Sequence, residues 1–387
     1  MIAAGVQMLR EFDEAGTLVV ALDLPTGVHA DTGEIARRAV RADLTVTFGA
    51  PKRGHYLYPG RAFVGALEVV DIGLVAPPAG TDGHRVRLAT PQDMASLLPR
   101  RDPRAHKGSV GRVLVVGGSP GLTGAVCLAA RAATRTGAGY VQVAVPAGLN
   151  DVLEAKLTEE MTVPCPQTPG RALSLAAMEV LQPYFERVDA IALGSGLSRD
   201  PEAAELARRI ALEAAVLVVV DADALNAFVG QADRVASAPA PRVLTPHIGE
   251  MARLTGRSAA ELEARRIDAA AEWARAWGVV MVLKGAPTVC AAPDGRTWVN
   301  PTGNPGMATA GMGDVLTGAI AALLAQGVPT LESAGLGAYA HGAAGDRVAE
   351  EHGTLGLSAG DVAEAMPQAL RSLARLREEA IEKRARP

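Results

Sequence analysis

The sequence predicts an α/β protein with a central, mostly parallel sheet flanked by helices. Short β-branched runs alternate with Ala- and Leu-rich stretches along most of the 387 residues, the pattern of repeated strand–helix units. Most strand candidates are unbroken apolar runs, as strands covered on both faces are. The chain is longer than one core usually serves, and a breaker-rich stretch marks where two parts meet.

Residues 1–80 hold about three strands, the first at 18–22, and little helix. That is thin for an independent α/β domain and reads as the end of a larger one. Pro77, Pro78, Gly80, Asp82 and Gly83, then Pro99, Arg100, Arg101, Asp102 and Pro103, give the stretch between Ile72 and Arg112 the composition of a linker, which places the boundary near residue 80 and the linker at 81–105. The second domain, 106–387, has strand candidates at 113–116, 141–145, 190–193, 216–220, 242–244 and 279–283. Its helix candidates are 125–136, 201–213, 259–277, 315–325 and 332–350.

Composition narrows the function classes. Hydrophobic residues at 49% and charged residues at 21% are ordinary for a globular protein, and with only 3% aromatics the core must be aliphatic. A net charge of -4 gives no reason to expect nucleic acid or an acidic membrane as partner. The three cysteines, Cys127, Cys165 and Cys290, are scattered without metal-ligand spacing, which argues for plain thiols in a reducing compartment. The longest apolar runs fall well short of the ~20 residues of a membrane helix. No signal peptide is visible at the N-terminus, so a cytoplasmic protein is expected.

Chemistry concentrates in Asn300-Pro-Thr-Gly-Asn-Pro-Gly-Met-Ala-Thr-Ala-Gly-Met-Gly-Asp314, which leads directly into an apolar helix. Small residues let backbone N–H groups approach a ligand, and a helix N-terminus favours negative charge. This is an anion hole suited to a transferring phosphoryl group, with Gly311 and Gly313 at its rim. Asp314, in the first helical turn, is placed to accept a proton from a hydroxyl there, although a helix cap is the ordinary alternative. Lys284-Gly285-Ala286-Pro287-Thr288 closes a strand, where an ammonium and exposed amides can meet a nucleotide phosphate; a surface lysine in a loop is the other reading.

Further polar clusters follow other strands: Gly117-Gly-Ser-Pro-Gly-Leu-Thr-Gly-Ala125, Gly194-Ser-Gly196-Leu, Asp221-Ala-Asp223-Ala-Leu-Asn226 and Thr245-Pro-His247-Ile-Gly-Glu250. The first is neither a P-loop nor a dinucleotide fingerprint. Ligands of open parallel sheets bind beyond the carboxyl ends of the strands, so these clusters point to one shared site. Taken singly, His247 reads as a hydrogen-bonded structural histidine, and Asp221 and Asp223 as loop and cap residues or as organisers of Mg2+ through water.

In their joint order these motifs, with Lys107-Gly108, resemble the ADP/ATP-dependent NAD(P)H-hydrate dehydratases of the ribokinase-like superfamily, from about residue 106 to 366. The resemblance implies a ribokinase-like domain and a lyase that repairs hydrated NADH and NADPH. ADP or ATP, with Mg2+, would phosphorylate the C6 hydroxyl, and phosphate would then be eliminated. By motif position, Ala125, Gly196, His247 and Asp314 would contact the hydrated cofactor. The 284–288 segment, Gly311 and Gly313 would hold the nucleotide, and Asp314 would be the base.

Residues 17–74 are similar to the end of an NAD(P)H-hydrate epimerase domain, through Val20-Ala-Leu-Asp23-Leu-Pro-Thr26-Gly, Ala42-Asp-Leu-Thr-Val-Thr-Phe-Gly49 and Pro51-Lys52. The resemblance implies a partial Rossmann-like α/β segment, with Asp23 touching substrate and Thr26 helping to bind K+, Thr standing where Ser is usual. The Asn- and Gly-rich loop that completes that site is not found upstream. The expectation is therefore a C-terminal remnant without epimerase activity, whose exposed apolar surface favours a homo-oligomer. The rival readings are a hydroxyethylthiazole- or pyrimidine-kinase type enzyme and a non-catalytic nucleotide-binding protein.

Overall fold

The computed structural model describes residues 17–75 and 85–385. The chain falls into two compact units, Met1–His84 with Glu263–Arg265, and Arg85–Leu262 with Arg266–Pro387.

The first unit holds three parallel strands, β1 (Val20–Leu22), β2 (Leu44–Phe48) and β3 (Ala66–Val70), paired in that order. Thr45 and Thr47 of β2 are buried, and Thr45 Oγ1 donates to the Val64 carbonyl at 2.6 Å, which satisfies a hydroxyl that would otherwise be costly to desolvate.

The second unit carries ten strands: β4 (Val86–Leu88), β5 (Arg112–Val116), β6 (Tyr140–Pro146), β7 (Met161–Cys165), β8 (Ala190–Leu193), β9 (Leu217–Val220), β10 (Arg242–Leu244), β11 (Val280–Leu283), β12 (Thr288–Ala291) and β13 (Thr297–Asn300). They form one sheet in the order β4-β13-β12-β11-β10-β9-β8-β5-β6-β7. Only β12 runs against its neighbours, forming hairpins with β11 and β13. Strands β5, β8, β9 and β11 are almost wholly buried, as their unbroken apolar sequences require. From β5 the chain winds outward through β6 and β7, then returns to β8 on the other side and winds through β9, β10 and β11. The reversal between β5 and β8 is a topological switch point, where the strand-end loops part to open a crevice.

The stretch expected to be linker is partly built structure. Residues 86–88 form the edge strand β4 on β13, and a helix follows over Pro91–Leu97. Thr90 caps that helix by accepting from the Asp93 N–H at 3.1 Å, and Pro91 sits where its missing donor costs nothing. Residues 81–84 lie outside the described residues. The single helix expected over 259–277 is two, Ala259–Ala264 and Arg266–Trp277.

The core lies between the sheet and the helices Thr123–Thr136, Met312–Ala325 and Thr330–His352. Twelve of the 14 residues of Met312–Ala325 are buried, so it is apolar all round as a central helix is. It packs so closely on Thr123–Thr136 that a Cβ on Gly318 would lie 1.9 Å from the Ala129 carbonyl oxygen. Gly318→Ala should force the helices apart and cost ~1–3 kcal/mol, the usual range for overpacking. Thermal unfolding measures this, and an unchanged melting temperature would refute the tight contact.

All three cysteines are free thiols, Cys165 and Cys290 buried and Cys127 partly so. Among the described residues no helix is long and apolar enough to cross a membrane.

Candidate active site

The switch point brings two of the glycine segments together. The Gly118 N–H donates to the Ser195 carbonyl at 3.0 Å, and Ser119 Oγ donates to the Gly196 carbonyl at 2.9 Å. A Cβ on Gly196 would stand 3.2 Å from that of Ala125, so these two expected cofactor contacts are neighbours across the crevice.

Strands β9, β10 and β11 lie side by side, and their carboxyl ends carry Asp221, Thr245-Pro246-His247 and Lys284. The Lys284 N–H donates to the Pro246 carbonyl at 2.9 Å, extending the ladder by one bond. The Lys284 side chain turns inward, its ammonium 2.7 Å from Asp221 Oδ1 and 3.8 Å from Glu250 Oε2. Thr317 Oγ1 donates to the other Asp221 oxygen at 2.8 Å. Burial alone would discharge Lys284, but Asp221, Glu250 and Asp314 more than reverse that and raise its pKa, so it stays an ammonium. A Cβ on Gly313 would lie 3.1 Å from this ammonium, which places the charge directly beside the glycine turn.

The Met312–Ala325 helix starts three residues before the expected position, with Gly311 as its left-handed cap at φ 91°. Asp314 therefore lies inside the first turn, where the helix N–H groups have no intrahelical partner. Burial pushes the Asp314 carboxyl up to about 6, and the negative charge of Asp221 adds to the rise. The Ser195 hydroxyl and the Lys284 ammonium hold it down in part. Ser195 Oγ is buried without a partner of ordinary hydrogen-bond geometry, so its influence on Asp314 is that of a nearby dipole. The site thus has a carboxylate of near-neutral pKa at a helix N-terminus, with a fixed ammonium beside it.

His247 caps the Ile248–Thr255 helix. Its Nδ1 accepts from the Gly249 and Glu250 N–H groups at 3.0 and 3.4 Å, and Glu250 Oε2 accepts from the His247 N–H at 2.8 Å. The structural role is therefore present, while the side chain remains 54% exposed, with its other face open to solvent. In the 284–288 turn, Gly285 and Ala286 are exposed, and Thr288 Oγ1 closes the turn on itself by donating to the Gly285 carbonyl at 3.1 Å.

Asp221 and Asp223 do not act as a pair. Asp221 is committed to Lys284 and Thr317, and Asp223 Oδ2 accepts from the Ser198 N–H at 2.9 Å. Among the described residues no group of three or more His, Cys, Asp or Glu side chains is placed to hold a metal. Glu250, Thr317 and Ser195 were not assigned roles from sequence; the His-x-x-Glu spacing of a capping box was the available signal for Glu250.

In the first unit Asp23 ends β1 in the left-handed region at φ 65°, unusual for a non-glycine residue. Its carboxylate accepts from Lys52 Nζ and, at 3.0 Å, from Thr47 Oγ1; the Lys52 hydrogen bond, chiefly, holds its pKa below the usual range. Thr26 is exposed.

The sequence model of the NAD(P)H-hydrate dehydratase family matches residues 113–368. The chain belongs to the NAD(P)H-hydrate dehydratase family. A second model, the YjeF-related protein N-terminus, matches residues 3–54. The bifunctional NAD(P)H-hydrate repair enzyme Nnr of Moorella thermoacetica is 48% identical over 366 residues, 95% of this chain and 69% of that enzyme. The Escherichia coli enzyme of the same description is 36% identical, over 89% of this chain and 64% of its own length.

Among solved structures, the fold is similar to the ADP/ATP-dependent NAD(P)H-hydrate dehydratase of Bacillus subtilis co-crystallised with ATP/Mg2+, at TM-score 0.63 and 30% identity over 74% of this chain and 98% of that one. A ribokinase-like superfamily protein from Enterococcus faecalis matches at TM-score 0.65 and 26% identity, over 78% of this chain and 100% of that one. The dehydratase-family unit is thus ribokinase-like, as its motifs implied.

One expectation is overturned. The first segment is not a C-terminal remnant of an epimerase domain: the N-terminal family model is matched from residue 3, and the two-function relatives align over nearly the whole chain. The inference of absent epimerase activity loses its basis with it.

Proposed function

We propose that this chain dehydrates hydrated NADH and NADPH to the intact reduced cofactors, using ADP or ATP to turn a poor leaving group into a good one. The observation that carries the reading is Asp314, a near-neutral carboxyl at a helix N-terminus beside Lys284, in a chain of the dehydratase family. Hydroxide leaves a saturated ring carbon reluctantly, whereas phosphate leaves readily. Asp314 takes the proton from the C6 hydroxyl as its oxygen bonds to the terminal phosphorus of the nucleotide. The phosphoanhydride bond breaks, releasing AMP from ADP or ADP from ATP. The C6–O bond then breaks with phosphate leaving, driven by the ring nitrogen's lone pair, and loss of a C5 proton restores the double bond.

The protein supplies position and charge. The N–H groups of Met312, Gly313 and Asp314 and the ammonium of Lys284 stabilise the charge developing on the transferring group. Asp221, Glu250 and Thr317 hold that ammonium in place. The hydrated nicotinamide lies in the switch-point crevice near Ala125, Gly196 and His247, and the 284–288 turn takes the nucleotide. Mg2+ would arrive on the nucleotide phosphates, largely with its own waters, as no cluster of three or more ligating side chains stands ready among the described residues.

Purified protein given hydrated NADH with ADP or ATP should restore the reduced-nicotinamide absorbance, and should not do so without nucleotide. Nucleotide consumption with a stable phosphorylated product and no absorbance return would instead mark a kinase.

The pH dependence follows from Asp314. The base must be ionised, and its pKa is about 6. Log kcat/KM for hydrated NADH should therefore be flat at neutral pH and fall with a slope of about one per pH unit below that value. A flat profile down to pH 4.5 would remove Asp314 as the base.

A further inference from the structure

Beneath the 284–288 turn lies a charge that neither the motifs nor the mechanism uses. Arg266, the first residue of the Arg266–Trp277 helix, is only 3% exposed. Its Nη1 lies 3.3 Å from the Leu283 carbonyl, 3.2 Å from that of Lys284 and 3.3 Å from that of Pro287. One guanidinium therefore gathers carbonyls from both limbs of the turn. Gathering them on the buried side leaves the turn's other side to exposed Gly285 and Ala286.

Gly285 shows how close this packing is. A Cβ there would lie 2.5 Å from Nη2, 2.6 Å from Nη1 and 2.8 Å from Cζ of Arg266, and its φ of 151° is one that other residues rarely adopt. Glycine at 285 therefore meets the backbone angle of the turn and lets the guanidinium lie directly against it.

We infer that Arg266 is a positioning residue for the nucleotide: it shapes the 284–288 turn from below by collecting its carbonyls, which leaves the exposed side of the turn to the phosphates. This rests on the reading of that turn as the nucleotide-holding segment.

The test is binding of ATP, ADP, AMP and adenosine to the full chain by calorimetry, with steady-state kinetics alongside. Arg266→Met should weaken ADP and ATP about tenfold or more, the loss growing with phosphate number and smallest for adenosine. The KM for nucleotide should rise far more than kcat falls, and the KM for hydrated NADH should hold. Arg266→Lys keeps the charge but not the fork, and should recover part of the loss.

Equal weakening of all four ligands would mean general damage to the site and overturn the inference. Unchanged ADP binding in Arg266→Met would overturn the inference entirely. If Arg266→Met fails to fold, Arg266→Gln decides, because it keeps polar donors in the buried position while losing the fork that gathers the three carbonyls. A nucleotide-selective loss in that variant supports the inference, and wild-type affinity refutes it. Failure of the unaltered protein to bind any nucleotide would instead refute the nucleotide reading of the turn.

Discussion

Asp314→Ala is expected to lower kcat by about 10²- to 10⁴-fold, the range for loss of a positioned general base, while nucleotide affinity stays near that of the unaltered protein. The split follows from where the charges sit. The nucleotide meets the helix amides, Lys284 and the 284–288 turn, none of which depends on the Asp314 side chain for its geometry. Lys284 keeps its bond to Asp221 at 2.7 Å. Removing a negative charge near incoming phosphates should, if anything, tighten binding.

Stability gives an independent sign. The Asp314 carboxyl has a folded pKa of about 6, above its ordinary value, so its ionised form costs stability. The cost is absent at pH below the ordinary carboxylate range, grows as pH rises towards 6 and is full above it. Asp314→Ala should therefore melt no lower than the unaltered protein at pH 7.5, and any gain should vanish by pH 3.5. Calorimetric melting across pH checks this. Equal loss of turnover, binding and melting temperature would mean that Asp314 is structural.

Arg242→Leu is the substitution expected to damage the fold most. Arg242 begins β10 and is only 1% exposed. Its guanidinium has no carboxylate among the partners it binds, and instead donates to five carbonyls. These are Ala211 at 2.6 Å, Ala214 at 2.5 Å, Val216 and Ala240 at 2.8 Å, and Pro241 at 3.3 Å. The first two belong to the C-terminal end of the Pro201–Glu213 helix, where carbonyls lack intrahelical partners and the helix dipole favours a cation. Leucine fills part of the volume but leaves these oxygens buried and unpaired.

The loss should be ~3–5 kcal/mol, as for breaking a buried charged network. Urea unfolding would show a lower midpoint with an unchanged slope, if the transition is two-state. Lysine should recover only a small part, since it lacks the planar fork. A midpoint shift worth less than about 1 kcal/mol would contradict this assignment, because each orphaned buried acceptor alone costs about that much.

Much of the sheet was legible because buried parallel strands write themselves as apolar runs: 190–193 and 242–244 match β8 and β10 residue for residue. The reversed strand β12 was not, since its short Thr-Val-Cys-Ala run has no alternation and follows a segment read only as a ligand turn. Edge strand β4 was hidden inside composition that reads as linker. The 27-residue helix Ala359–Ala385 was not anticipated, although Val362, Met366, Ala369 and Leu373 recur at helical spacing and are buried.

At the site, Lys284, Asp221 and Asp314 each stood out by local context. That Lys284 is bound to Asp221, 63 residues away, depends on β9, β10 and β11 being adjacent, which is a property of sheet order and not of any local run. The same holds for Thr317, which reads as an ordinary helix residue until the helix is laid against the strand ends. The Mg2+ reading of Asp221 and Asp223 rested on their nearness in sequence, whereas the structure gives the two carboxylates different partners.

The most direct measurement follows one oxygen atom. Hydrated NADH carrying heavy oxygen in its C6 hydroxyl would be turned over with ADP or ATP, and the released phosphate and water analysed by mass spectrometry. Phosphorylation of that hydroxyl followed by elimination requires the heavy oxygen to leave in phosphate, one atom per cofactor restored. Heavy oxygen in water, with unlabelled phosphate, would mean that the nucleotide is hydrolysed separately and that no phosphoryl group passes to the substrate.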